Sequence, residues 1–490
     1  MPIFSLPSPY GIGTFGKDAY AFVDFLEQAG QSYWQILPLT PTNYGDSPYQ
    51  SFSSDAGNPY FIDLDTLCAA GLLYPEEYTA VDFGDDPLKV DYGKLYERRL
   101  PLLRTAFARF DRKTEAFVAF CRKEADWLDE YALFMALKDE AGGVSWREWE
   151  VPLRTRQADA LHKARTRLAE EIVFYRFVQY LFFTQWHALK AYANERGIRI
   201  IGDMPIYVAD DSADVWANPR QFDLDEELLP RVVAGCPPDA FSEDGQLWGC
   251  PVYDWATMRR GRRPYAWWRD RMRRALAVYD VVRIDHFRGF ESFYCIPYGA
   301  TNAKTGEWRK GPGMDLFKAL SKELGADLPI IAEDLGFLTP AVHRLLSDSG
   351  FPGMKVLQFA FDEREESDYL PHNYPKNCVV YTGTHDNDTV LGWTQTAAPA
   401  DVAYARRYLH VDDAEGFNWA MMRAALGSVA DTAILMMPDL IGLGSEGRIN
   451  TPSTLGGNWQ WRIDAVCLND WLASIVRENT ALYGRLPKEQ

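Results

Sequence analysis

Apolar positions follow two periods along this chain. Short, nearly continuous apolar runs of strand length recur at residues 32–39, 58–64, 198–208, 281–290, 328–334, 354–360, 378–384 and 433–438. Runs of that kind are expected of parallel strands covered on both faces. Between them, stripes at helical spacing predict helices over 17–29, 265–278, 315–324, 340–348 and 400–409; in the first, Phe22, Phe25, Leu26 and Ala29 share a face. Eight strands alternating with helices is the count of a (β/α)8 TIM-type barrel, whose sites lie on loops at the C-terminal strand ends. A doubly wound open sheet competes, but no strand is followed by GxGxxG.

Two stretches interrupt the alternation. Residues 65–196 are rich in Ala, Leu, Arg and Glu and predict a largely helical insertion plus a return helix. Residues 210–262 hold few periodic runs and many turn residues, which predicts a loop-rich insertion covering the site. The whole of 1–490 then reads as one catalytic barrel with these insertions.

Composition narrows the ligand. The net charge of −18, from 69 acids against 51 Lys and Arg, disfavours nucleic acid and anionic lipid, both of which require a positive footprint. Aromatic content of 14% is enough for flat apolar platforms as well as core filling. The seven cysteines form no CxxC pair, so neither a zinc site nor a disulfide framework is indicated and a reducing cytoplasm is the simplest setting. Residues 1–7 carry neither a basic nor an apolar signal region, and no apolar run reaches membrane-spanning length, so neither export by such a signal nor membrane spanning is expected.

Candidate chemistry sits where acids interrupt the apolar strands. In Val281-Val282-Arg283-Ile284-Asp285 the arginine and the acid are two apart, so both project to one strand face while Val282 and Ile284 face the other way. A guanidinium there would keep Asp285 ionised. Glu333 follows Ile330-Ile331-Ala332, and Asp386 follows Thr384-His385. In a common barrel the three acids converge on one mouth, where like charges raise at least one pKa and so supply a proton donor near neutral pH. That arrangement suits glycosidic-bond chemistry, with one carboxylate to attack and one carboxylic acid to protonate the leaving oxygen. Blander readings stand beside it. Glu333-Asp334 also fits a solvated helix start, His286 with His385 and Asp386 a metal site, and Tyr49, Phe241 and Trp248 simple loop anchors.

Several ordered blocks carry a family resemblance over nearly the whole chain. They are Ser8-Pro9-Tyr10-Gly11-Ile12-Gly13, Gly45-Asp46-Ser47-Pro48-Tyr49-Gln50, Gly202-Asp203-Met204-Pro205-Ile206-Tyr207-Val208, Arg283-Ile284-Asp285-His286-Phe287-Arg288-Gly289 and Gly457-Asn458-Trp459-Gln460-Trp461-Arg462. In these the sequence resembles the amylomaltases, bacterial 4-α-glucanotransferases of the α-amylase clan. The resemblance implies retaining double displacement on maltodextrins or other α-1,4-glucans, with Asp285 as nucleophile, Glu333 as acid/base and Asp386 as transition-state stabiliser. It further implies that Arg283, His385, Tyr49, Asp239, Phe241, Trp248 and Asn458 contact or support the glucan, and that no cofactor or metal takes part.

Two departures accompany it. Cys250 stands where the family usually carries Asn, and the chain begins almost at the first motif, which suggests an abbreviated first strand or a misassigned start. An α-glucan hydrolase of the same clan is the alternative activity, and a glucan-binding module with a dead site the alternative class. The sequence sets neither the oligomeric state nor the preferred chain length.

Overall fold

Backbone hydrogen bonding decides which of the apolar runs become strands. In this computed structural model, which describes residues 1–488 apart from Tyr44, 239–242, Phe337, Glu365 and Asp413, they are β1 (Tyr33–Gln35), β2 (Arg199–Met204), β3 (Val232–Cys236), β4 (Gln246–Pro251), β5 (Val281–Ile284), β6 (Ser292–Pro297), β7 (Glu307–Lys310), β8 (Ile330–Ala332), β9 (Gly353–Val356), β10 (Cys378–Tyr381) and β11 (Thr432–Ile434). Seven are parallel and wind as a TIM-type α/β barrel: β1-β2-β5-β8 in one ladder and β9-β10-β11 in a second. The Ala332 N–H donates to the Pro352 carbonyl at 2.9 Å and joins the two. On the far side a cavity lined by Gln35, Leu37, Ile434 and Met436 lies between β11 and β1, and the Tyr381 hydroxyl donates to Gln35 Oε1 at 3.0 Å.

The eighth expected strand, 58–64, is not one. Pro59–Phe61 is a 3₁₀ turn with the Asn58 side chain accepting from the Tyr60 N–H, and Asp63 caps the helix Leu64–Ala69. Pro59 has no N–H to give a ladder. The backbone groups on either side are taken by two glutamines of the long helix Ala169–Glu195. Gln179 bonds both the N–H and the carbonyl of Gly57 (2.7 and 2.9 Å), and Gln185 does the same for Asp63 (2.7 and 3.2 Å). Side-chain amides thus replace a neighbouring strand, which satisfies the rule that buried backbone groups find partners.

Residues 210–262 also depart from expectation. They contribute β3 and β4, which with β6 and β7 form an antiparallel sheet in the order β4-β3-β6-β7. These strands are short and contain Gly235 and Gly249, and β3 finds one of its partners some sixty residues on, so local periodicity carries little trace of them. The sheet brings Trp248 of β4 toward the barrel mouth. Among the described residues no helix is long and apolar enough to cross a membrane.

Alternation within the barrel strands separates two cores. Ile200, Val282, Ile284, Ile330 and Ala332 face outward under the helices. Ile201, Val281, Ile331, Met354, Val356, Val379 and Tyr381 fill the interior. Gly202 lies on the outward set, where an added Cβ would stand 2.1 Å from the Tyr279 ring. That ring is buried, and its hydroxyl accepts from the Leu39 N–H at 3.3 Å, tying β2 to the chain leaving β1. We expect Gly202→Ala to cost about 1–3 kcal/mol by overpacking, read as a lower denaturant midpoint; an unchanged midpoint would show that Tyr279 yields freely.

Candidate active site

Parallel register builds the site from the strand interior upward. Asp203 of β2 is paired with Arg283 of β5, and Arg283 with Ile331 of β8. Residues in register project to the same side, so above an apolar layer of Ile201 and Val281 lies a layer in which Asp203 and Arg283 stand level with Ile331. One step of two further along the chain come Asp285 and Glu333.

Arg283 is the centre of that layer. Its Nη1 donates to both oxygens of Asp203 at 2.7 Å and to Asp285 Oδ1 at 3.1 Å. The side chains of Arg283 and Asp203 are 4% and 0% exposed, that of Asp285 31%. Burial alone would lower the guanidinium pKa; Asp203 and then Asp285 outweigh it and hold Arg283 well above its ordinary value. The Tyr49 hydroxyl adds a 2.8 Å bond to Asp203 Oδ2. Burial first, then Asp203, keeps that phenol protonated and able to donate.

Arg283, expected to pair with Asp285, does so and is shared with Asp203. Asp203 takes the shorter bonds. Burial raises the Asp285 pKa above the usual carboxylate range, Arg283 being the main opposing influence and Asp203 adding to the rise. Asp203 was visible in sequence as an acid near a strand end; its pairing with Arg283 was not, because that depends on the β2–β5 register.

Glu333 sits beside this triad. Its carboxylate accepts from the His286 N–H at 2.6 Å and the Leu335 N–H at 2.8 Å. His286 adopts φ +53°, a left-handed conformation that costs a non-glycine residue about 1 kcal/mol or more. The strain sets its N–H on Glu333. Both backbone bonds favour the ionised acid, yet burial and then Asp285 outweigh them and push the Glu333 pKa up to about 7. The His286 ring, held neutral by burial and then Arg288 with its pKa down to about 3, packs edge-on against Trp248 at 4.8 Å.

Asp386 stands on a different turn after β10 and is half exposed. Its Oδ1 accepts from Asn450 Nδ2 at 2.6 Å and lies 3.3 Å from His385 Nε2. The His385 ring stacks on Tyr49 at 5.1 Å, and both rings pack against Trp459. Tyr49 thereby links the Asp203–Arg283 pair to the turn carrying Asp386. Among the described residues, no group of three His, Cys, Asp or Glu is placed to hold a metal ion.

The loop residues divide. Trp248 lies at the mouth, its Nε1 donating to Gln246 Oε1 at 3.0 Å. Asn458 spends its amide inside its own loop, accepting from the Thr451 N–H at 2.9 Å and donating to Thr454. Asp239 and Phe241 lie outside the described residues. Cys250 is buried, its thiol pushed up to about 12 by burial, and Gln50 Nε2 lies 3.5 Å from its sulfur.

A proton donor poised near neutrality beside a carboxylate tied to a buried arginine can perform acid-assisted displacement at one carbon. The family profile described as 4-alpha-glucanotransferase matches residues 1–468. A 4-alpha-glucanotransferase of Clostridium butyricum is 50% identical over 488 residues, covering 99% of this chain and 100% of that protein. One of Thermus thermophilus is 51% identical over 471 residues, covering 94% and 93%. In structure, an amylomaltase from Streptococcus agalactiae in complex with acarbose superposes with a TM-score of 0.96 at 42% identity, covering 99% of each chain.

Removing the arginine tests the electrostatic frame. Arg283→Met would leave Asp203 and Asp285 as uncompensated like charges, and we expect a loss of about 3–5 kcal/mol at neutral pH. The loss should shrink in acid as Asp285, its pKa already raised by burial, protonates. Denaturant midpoints of variant and wild type across pH report this; an equal loss at every pH would assign Arg283 a packing role only.

Proposed function

The chain belongs to the 4-alpha-glucanotransferase family, and on that premise we propose that Asp285, Glu333 and Asp386 carry out a retaining double displacement on α-1,4-glucans. The reaction class is transfer between glucans rather than hydrolysis. The observation that carries the residue assignment is the split between two neighbouring acids, Glu333 with its pKa pushed up to about 7 and Asp285 bonded to Arg283 at 3.1 Å.

In the first step the Asp285 carboxylate attacks the anomeric carbon while Glu333 gives its proton to the departing glycosidic oxygen. The bond from sugar to oxygen breaks as the bond from sugar to Asp285 forms, and the products are a β-glucosyl-enzyme and a shortened glucan. In the second step Glu333, now ionised, takes the proton of an acceptor hydroxyl, which displaces Asp285 and restores the α linkage. Asp386 hydrogen-bonds sugar hydroxyls and favours the oxocarbenium-like transition state. Tyr49, His385 and Trp248 supply ring faces around the mouth, and their packing supports a role in seating pyranose rings.

Maltodextrins are the substrate class we assign, in keeping with the acarbose complex of the related amylomaltase. Transfer wins over hydrolysis where the closed site holds an acceptor sugar and excludes water. A reducing cytoplasmic setting belongs to the same proposal, since no disulfide forms among the described residues.

Incubation with maltotriose should yield glucose plus a ladder of longer dextrins; glucose and maltose alone would indicate hydrolysis. The first step needs protonated Glu333, so kcat/KM should fall as pH rises through about 7. Glu333→Gln should lose that alkaline limb together with roughly 10²–10⁴-fold in rate. A limb that persists in Glu333→Gln would assign the acid elsewhere.

A further inference from the structure

The Asp386 carboxylate reaches the barrel mouth from an exposed turn, yet its orientation is fixed by a segment more than sixty residues away. Three bonds from residues 448–450 grip the His385-Asp386 turn. The Asn450 N–H donates to the His385 carbonyl at 3.0 Å. Arg448 Nη2 donates to the Asp386 carbonyl at 2.9 Å. Asn450 Nδ2 donates to Asp386 Oδ1 at 2.6 Å. Arg448 also closes on its own segment through Nε to the Asn450 carbonyl at 2.8 Å, so the clamp is one rigid piece.

The clamp acts on one carboxylate oxygen. Asn450 and His385 both address Oδ1, and among the described residues no bond goes to Oδ2, while the side chain is 48% exposed. An exposed aspartate otherwise samples several rotamers, and a group that must meet a transition state gains from being held in one.

We propose that Asn450 is a positioning residue for the transfer reaction, its side-chain amide engaging Asp386 Oδ1 so that Oδ2 is presented to the sugar. This rests on Asp386 being the transition-state stabiliser. Asparagine suits the task better than a cation would. Its amide donates a hydrogen bond without adding a positive charge that would compete with the oxocarbenium-like sugar for the carboxylate. The backbone bonds from Arg448 and from the Asn450 N–H place the turn; the amide aims the acid on it.

Kinetics of maltotriose disproportionation for Asn450→Ala, Asn450→Asp and Asp386→Asn test the assignment. Asn450→Ala should lose roughly 10²-fold in kcat with a smaller change in KM, because the misplaced group acts in the transition state. Asn450→Asp puts two carboxyls within hydrogen-bond distance. Protonated, the new carboxyl donates as the amide did; ionised, it repels Asp386. Its rate relative to wild type should therefore be highest in acid and fall as pH rises, a dependence that a merely structural asparagine would not produce. Wild-type kcat in Asn450→Ala, or an equal, pH-independent loss in both Asn450 variants, would overturn the proposal. Full activity of Asp386→Asn would overturn the role of Asp386 itself, and this inference with it.

Discussion

A single buried guanidinium holds this site together. Arg283 lies inside the barrel with almost no solvent contact, where an unpaired charge would cost several kcal/mol. Asp203 meets it through both oxygens, and Asp285 through one longer bond. The order of those bonds matters for chemistry. Asp203 takes the shorter bonds, so Arg283 opposes the rise that burial gives the Asp285 pKa without binding that carboxylate as tightly. Tyr49 completes the Asp203 shell, and through His385 the same ring reaches the turn that bears Asp386.

The surroundings of the two central acids then push them apart. Glu333 is buried, faces the Asp285 charge and, among the described residues, has no bonded cation of its own, so two backbone N–H groups do not hold its pKa in the usual carboxylate range. Asp285 has Arg283. Under the proposed mechanism one barrel mouth thus holds a proton donor and a nucleophilic carboxylate of the same chemical type, the usual way in which a fold runs both halves of a glycosyl transfer. His286 contributes twice: its strained backbone supplies a bond to Glu333, and its neutral ring supports Trp248 above the opening.

Much of this was legible in sequence where the physics is local. The spacing of two between Arg283 and Asp285, and the position of Glu333 and Asp386 just past apolar runs, follow from strand alternation alone. Asp203 as the main partner of Arg283 was not legible, because it requires the register of two strands some eighty residues apart. The antiparallel sheet of β3, β4, β6 and β7 was missed for a similar reason. Residues 58–64 misled in the other direction: Phe61, Ile62 and Leu64 are buried as a strand's residues would be, but Pro59 and two distant glutamines decide the backbone's partners. Asn450 lies in a stretch whose sequence carries no strand or helix signal, and only its contact with Asp386 marks it.

The central claim is that Asp285 carries the sugar between the two steps. An α-maltosyl fluoride, whose leaving group needs no acid, should glycosylate Glu333→Gln while the crippled base slows release, so that the covalent enzyme accumulates. Acid quenching followed by peptide mass mapping should then find the added glucosyl units on the 281–290 segment and on Asp285 within it. An adduct on another acid, or turnover of the fluoride with inversion and no adduct, would contradict the account.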